Sequence, residues 1–291
     1  MNPIDLLADP EINDVLVNST SAIQVEGSSG LRNTEFHFES EEELKLFARE
    51  LIQSNGSRVD LSKPFAEVTI KSEYGLLRIH CILGGECSIG TQLSIRRHSV
   101  QSLTLRHLLD TRFLNSVQLS LLGKIVAGKQ NFVIAGATGS GKTTLLRAML
   151  LEITDERIIT IEDSRELNLA NAVSLFTRTN NHEGVGEISL NQLLREALRM
   201  RPDRIVIGEA RGEELAVLLQ ALNTGHSGAG FTIHANSADE VVARMLAMLA
   251  SGNIQPGLGR MMITSSVDYV IYLGKAPARQ VLSIQRLGSN E

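Results

Sequence analysis

Gly136-Ala137-Thr138-Gly139-Ser140-Gly141-Lys142-Thr143 fits the pattern G-x-x-x-x-G-K-[ST]. The apolar residues Phe132 to Ala135 before it read as a strand, and Thr144 to Ile153 after it as a helix. In that setting the glycines let successive backbone N–H groups turn inward on a phosphate, helped by the positive end of the helix. Gly136, Ala137, Thr138, Gly139, Ser140, Gly141, Lys142, Thr143 and Thr144 are therefore candidate ligands of a nucleotide such as ATP. Lys142 is expected on the β and γ phosphates, and the Thr143 hydroxyl on magnesium.

Outward from the loop the chain alternates strand and helix. Arg157 to Ile161, Arg204 to Ile207 and Gly230 to His234 are further strand candidates. Leu190, Leu193, Leu194, Ala197 and Leu198 make one apolar helical stripe behind a capping Ser189, while Ser237 and Glu240 form a capping box for a helix that Gly252 should stop. Tyr269 to Leu273 and Gln280 to Gln285 are close enough to pair as an antiparallel extension. The expectation is an α/β unit with a mainly parallel sheet, whose ligands bind beyond the carboxyl ends of the strands.

Before residue 100 the pattern is shorter and mixed. Val15 to Val17, Ala22 to Val25 and Glu35 to Phe38 read as strands. Ser40 and Glu43 form a capping box for a helix carrying Leu44, Leu46, Phe47 and Leu51, stopped by Asn55-Gly56. Phe65 to Ile70, Leu76 to Leu83 and Gln92 to Arg96 complete a small α+β, PAS-like unit. The expected division is an N-terminal domain over 1–98, a linker over 99–115 and the nucleotide-binding domain over 116–291.

Hydrolysis needs carboxylates to hold magnesium and water, and positive charge where the transition state gathers negative charge. Arg157 to Ile161 runs into Glu162-Asp163, and Arg204 to Ile207 into Gly208-Glu209, so both acid groups emerge at the edge that carries the loop. Acids that end strands are also ordinary solvated turn residues, but two such endings beside this loop point to chemistry. His226 and His234 bracket the Gly230 to His234 strand; either could sense a γ phosphate or fill a core position. Two histidines without further spaced ligands do not make a zinc site. His37, His80, His98, His107 and His182 suggest no role.

Composition sets the outer bounds. The 291 residues exceed the roughly 150 of a typical domain, with 43% hydrophobic and 21% charged residues, which excludes a disordered chain or a disulfide-held miniprotein. Thirty-three acids against 28 bases give a net charge of −5, which argues against direct nucleic-acid binding and so against a nucleic-acid translocase. Cys81 and Cys87 are too few for a tetracysteine zinc site or a disulfide framework and suit a reducing cytoplasm. No apolar run reaches the ~18 residues of a membrane span, so a membrane role is expected through a partner.

Four segments carry a family resemblance: Gly136 to Thr144; Thr160-Ile161-Glu162-Asp163 with Glu166; Leu198 to Arg204 running into Gly208-Glu209-Ala210-Arg211; and Thr224-Gly225-His226 with Thr232-Ile233-His234-Ala235-Asn236. Together they resemble the signatures of the secretion ATPase superfamily, which serves type II and type IV secretion and type IV pilus assembly. The opening Asn2 to Asn18, with Ile188 to Arg201, is most similar to the CpaF/TadA-type Flp (tight-adherence) pilus assembly branch. The resemblance implies a RecA-like engine working as a homo-hexamer on an inner-membrane platform protein. It implies that Glu162 orders or deprotonates the attacking water, that Glu209 supports magnesium or water, and that His234 senses the γ phosphate. It further implies that N-terminal arginines, here Arg78 and Arg96, reach the nucleotide, and that Arg211 holds the acid or communicates between subunits. The tetracysteine element of type II and pilus-extension motors is missing, while Ser72 to Gly75 stands where an Asp-Gly turn is usual before Arg78. The nearest alternative within the superfamily is a type IV secretion or conjugation motor, because the engine is shared.

Overall fold

A computed structural model describes residues 2–27, 30–98, 103–178, 186–275 and 278–287, in two compact units that divide between Gln101 and Ser102. His182 and residues 99–102 of the expected linker lie outside the described residues.

The first unit opens with a 3-10 turn, Pro3–Ala8, followed by β1 (Ile12–Val17), β2 (Ile23–Gly27), β3 (Gly30–Asn33), α1 (Glu41–Gln53), β4 (Phe65–Ser72), β5 (Gly75–Ile82) and β6 (Gln92–His98). Its sheet has the order β3-β2-β1-β6-β5-β4, with every pairing antiparallel. Leu44, Ala48 and Ile52 recur every four residues on α1 and fill one core with Val15, Leu77, Ile79 and Ile95. The Ser40 hydroxyl accepts from the Glu43 N–H as a cap should, but the Glu43 carboxylate reaches back to the Glu39 N–H instead of Ser40. Glu35 to Phe38 is not a strand. Its alternation comes from Phe36 and Phe38, which stack edge to face at 5.3 Å and pack on the core from a coil, while the third strand forms at β3. The Ser72–Gly75 turn closes the β4–β5 hairpin without an Asp-Gly pair, Gly75 taking a φ of +108°.

The second unit runs α2 (Leu105–Asp110), α3 (Ser116–Ala127), β7 (Phe132–Gly136), α4 (Lys142–Leu150), β8 (Ile158–Glu162), β9 (Ala172–Phe176), α5 (Leu190–Ala197), β10 (Arg204–Ile207), α6 (Glu214–Leu222), β11 (Gly230–Ile233), α7 (Glu240–Ser251), α8 (Pro256–Ser266), β12 (Tyr269–Gly274) and β13 (Gln280–Arg286). The sheet order is β13-β12-β7-β11-β10-β8-β9, parallel except for the terminal β12–β13 hairpin. β7, β8, β10 and β11 are buried at every position because apolar clusters cover both faces, which explains their mostly apolar runs, with Thr160, Glu162, Arg204 and Thr232 as buried polar members. β9 has no such run. It is an edge strand, half-buried throughout, and lacks a sequence signal of its own.

The expected linker over 99–115 is not a connector from residue 103 onward. Leu105 and Leu108 are 2% and 3% exposed and sit with Phe113 and Leu114 in the core beneath α4, so this stretch is a wall of the second unit.

Candidate active site

β7 delivers the glycine-rich loop at the carboxyl edge of the sheet. Ala137, Thr138 and Gly139 form a solvent-open crest, while Ser140 and Lys142 are buried. Gly141 enters α4 with φ +98°, and a β-carbon there would meet the Phe113 ring at 2.9 Å, so glycine is required on both counts. Lys142 Nζ donates to the Gly136 and Ala137 carbonyls, each at 3.0 Å, and to His234 Nδ1 at 3.1 Å. Burial lowers the Lys142 pKa, and the nearby Glu209 and Glu166 charges oppose that shift. The Thr143 hydroxyl donates to Glu166 Oε2 at 3.1 Å. Thr144 stands on the same first turn of α4.

Register brings the remaining groups to the same edge. β11 pairs with β7 so that Ile233 lies against Ala135, which sets His234 beside the loop. β10 and β8 align Ile207 with Ile161, placing Glu209 and Glu162 on neighbouring strand ends. Lys142 has only donors, so His234 Nδ1 accepts and Nε2 carries the proton toward Glu209 Oε1, 2.9 Å away. Glu209 Oε2 pairs with Arg211 at 2.9 Å, and Arg211 continues to Asp163 Oδ2 at 3.1 Å. Burial opposes ionisation of Glu209, but the hydrogen bond and charge of Arg211, with the Lys142 charge, outweigh it and hold its pKa below the ordinary value. Lys142, His234, Glu209, Arg211 and Asp163 thus form one continuous chain of polar contacts.

Glu162 has the opposite electrostatics. It is 2% exposed, and burial lifts its pKa to about 7 even though Oε1 accepts from the Leu167 and Glu166 N–H groups at 2.8 and 3.1 Å. Its Oε2 is buried without a hydrogen-bond partner among the described residues. Gly208 makes room for it, since a β-carbon there would stand 3.1 Å from Glu162 Cγ. A depressed carboxylate and a raised one side by side divide into a charged group and a proton acceptor poised near neutrality.

The donor set also fits magnesium. The Thr143 hydroxyl and the Glu166, Glu209 and Glu162 carboxylates are hard oxygen ligands, and Thr143 and Glu166 are already in contact. Among the described residues no group of three or more His, Cys, Asp or Glu side chains forms a ready cage. Magnesium ordinarily takes only one or two protein ligands beside water and phosphate.

A model of the family described as "Type II/IV secretion system protein" matches residues 1–276, with this loop and these strand ends inside the match. The chain belongs to the type II/IV secretion system protein family. It is 36% identical over 277 residues to a Mycobacterium tuberculosis protein carrying the name "Putative conjugal transfer protein", covering 93% of this chain and 78% of that one. It is 27% identical to the type IV secretion system protein VirB11 of Bartonella quintana, over 93% of this chain and 87% of that one. Among solved structures, the VirB11 ATPase of Brucella suis matches with 25% identity and a TM-score of 0.52, covering 98% of this chain and 92% of that one. The pilus retraction motor PilT with bound ADP shares the fold at 20% identity and a TM-score of 0.69, over 97% of this chain and 81% of that one. As a member of this family the protein is an ATPase in which a RecA-like domain follows a small N-terminal one in the sequence.

Within this secretion ATPase, the second unit gathers Lys142, His234, Glu209, Arg211 and Glu162 at one sheet edge. His234 joins Lys142, but His226 lies in the connection between α6 and β11, ahead of that strand and not at its carboxyl end. There His226 Nδ1 faces the Ala221 carbonyl at 3.3 Å, which makes it a helix-end residue. Arg78 and Arg96 belong to the first unit, directly opposite each other on β5 and β6. Arg78 forms a two-point pair with Glu67 at 2.9 and 3.0 Å, and Arg96 Nε pairs with Asp14 at 2.6 Å. Glu166 and Asp163 were visible only as members of a motif, without a role. Glu214, 6% exposed, carries no motif signal; its Oε1 accepts from the Gly212 N–H at 2.8 Å and shapes the turn that carries Arg211.

Proposed function

We propose that Gly136 to Thr144 binds ATP with magnesium and that Glu162, Glu209, His234 and Arg211 hydrolyse it, in a hexameric motor that drives Flp pilus assembly through an inner-membrane platform partner. The observation that carries the hydrolytic reading is the polar chain from Lys142 through His234 to Glu209, beside the buried Glu162 Oε2, which has no hydrogen-bond partner among the described residues. Lys142 trades the Gly136 and Ala137 carbonyls for phosphate oxygens, and His234, taking a proton on the freed Nδ1, donates from it to the γ phosphate while Nε2–H stays on Glu209. Glu162 Oε2 accepts a proton from the attacking water. Glu209 stays charged, held by Arg211. Magnesium, when bound, neutralises charge on the β and γ oxygens. Arg78 and Arg96 add positive charge to the nucleotide from an N-terminal domain, and one or both complete the site.

Among the described residues no helix is long and apolar enough to cross a membrane. The name of the M. tuberculosis relative favours a second reading, a conjugation or type IV secretion motor.

Lys142→Ala is expected to abolish ATP turnover with an unchanged circular dichroism spectrum; full residual turnover would overturn the site. Glu209→Gln is expected to retain ATP binding and lose at least about 100-fold in hydrolysis. Deleting the gene separates the two system-level readings: loss of surface pili with transfer intact supports the first, and the reverse supports the second.

A further inference from the structure

One cation at the nucleotide loop lies outside every motif of the sequence. Lys275 directly follows β12, whose register with β7 sets Leu273 against Gly136. Its ammonium stands 3.5 Å, and its Cε 3.8 Å, from the position a β-carbon would take on Gly139, at the open crest of the loop. The hairpin that carries Lys275 is pinned to the same corner of the fold. The Val281 N–H donates to the Phe113 carbonyl at 2.8 Å, Gln118 Nε2 donates to the Val281 carbonyl at 2.9 Å, and the Phe113 ring backs Gly141.

The sheet order gives this position a direction. β11, β10 and β8, bearing His234, Glu209 and Glu162, all lie on one side of β7, and β12 lies on the other. The hydrolytic groups fix the γ-phosphate end of a bound nucleotide toward β11. Its α phosphate and nucleoside then leave the loop toward β12, where Lys275 waits. A lysine suits that end: the ammonium reaches oxygens of the α phosphate and ribose, and the methylene stem lies along the base.

We infer that Lys275 is a nucleotide-binding residue for the α-phosphate and nucleoside end of the ligand, supplied by the β12–β13 hairpin. This rests on Gly136 to Thr143 being the nucleotide loop. The test is calorimetric binding of ADP and ATP to the full chain and to its Lys275→Ala and Lys275→Arg variants, with steady-state kinetics alongside. Lys275→Ala should weaken ADP and ATP alike by about tenfold, raise KM for ATP in step and leave kcat unchanged, while Lys275→Arg recovers most of the affinity. Equal ADP affinity in wild type and Lys275→Ala would overturn the assignment. So would a loss confined to ATP, which would place Lys275 at the γ phosphate, or a lowered melting temperature with no rescue by arginine, which would make it structural. If the wild-type chain binds no ADP, the loop reading fails, and this inference with it.

Discussion

Glu162 is where stability and chemistry pull in opposite directions. Its pKa is about 7 in the folded chain against an ordinary 4.5, so below pH 4.5 it is protonated both folded and unfolded and contributes no difference. Between 4.5 and 7 the unfolded chain sheds the proton while the folded chain keeps it, and the fold loses stability as pH rises. Above 7 the loss is complete, on the order of 3 kcal/mol. Glu162→Gln cannot ionise and keeps an oxygen for the Leu167 and Glu166 N–H groups, but it leaves an amide group without a partner at a cost of about 1–3 kcal/mol. The melting temperature of the nucleotide-free variant minus that of wild type should therefore rise from pH 4.5 to 7 and then level off, whatever its constant offset. A flat difference would show that Glu162 is not held neutral by burial. The same substitution should remove hydrolysis, since an amide cannot take a proton from water.

At the scale of elements, the short helix α2 decides where the ATPase unit begins. Leu105→Ala would empty a fully enclosed position beneath α4 and should lower unfolding stability by about 3 kcal/mol, seen as a lower denaturant midpoint with an unchanged slope. A linker residue would change it by less than about 0.5 kcal/mol. The sequence hid this because Leu103, Leu105, Leu108 and Leu109 span barely two turns, too short for a helical period to stand out. The parallel strands were legible for the opposite reason: apolar clusters cover both their faces, so β7, β8, β10 and β11 are mostly apolar and lead to the acids and to His234. Edge position erased the signal of β9, and the Phe36–Phe38 pair imitated a strand. Lys142, Glu162, Glu209 and His234 could be read from motifs. The Thr143–Glu166 contact and the seat of Lys275 over Gly139 could not, because they follow from tertiary packing, the latter between residues 136 apart in the chain.

For the whole molecule, the proposed role of Arg78 and Arg96 sets two arrangements against each other, service to their own chain's nucleotide or to a neighbour's. Arg78 and Arg96 share a face of one sheet and are each held by a carboxylate, so they are pre-positioned as a pair. Acting within their own chain, they would complete the site of the same Lys142. Acting on a neighbour, they would make every site in a ring the product of two chains. Mixing two inactive proteins tells these apart: Lys142→Ala, and the double variant Arg78→Ala with Arg96→Ala. Within one chain every site lacks either the lysine or the arginines, and the mixture stays as inactive as its parts. Across neighbours, random assembly of equal amounts joins an intact loop to intact arginines at about one site in four, and turnover should recover to about that fraction of wild type. We expect the recovery, measured as phosphate release at protein concentrations where light scattering shows a hexamer. Its absence there would confine the arginines to their own chain and leave the ring without a shared active site.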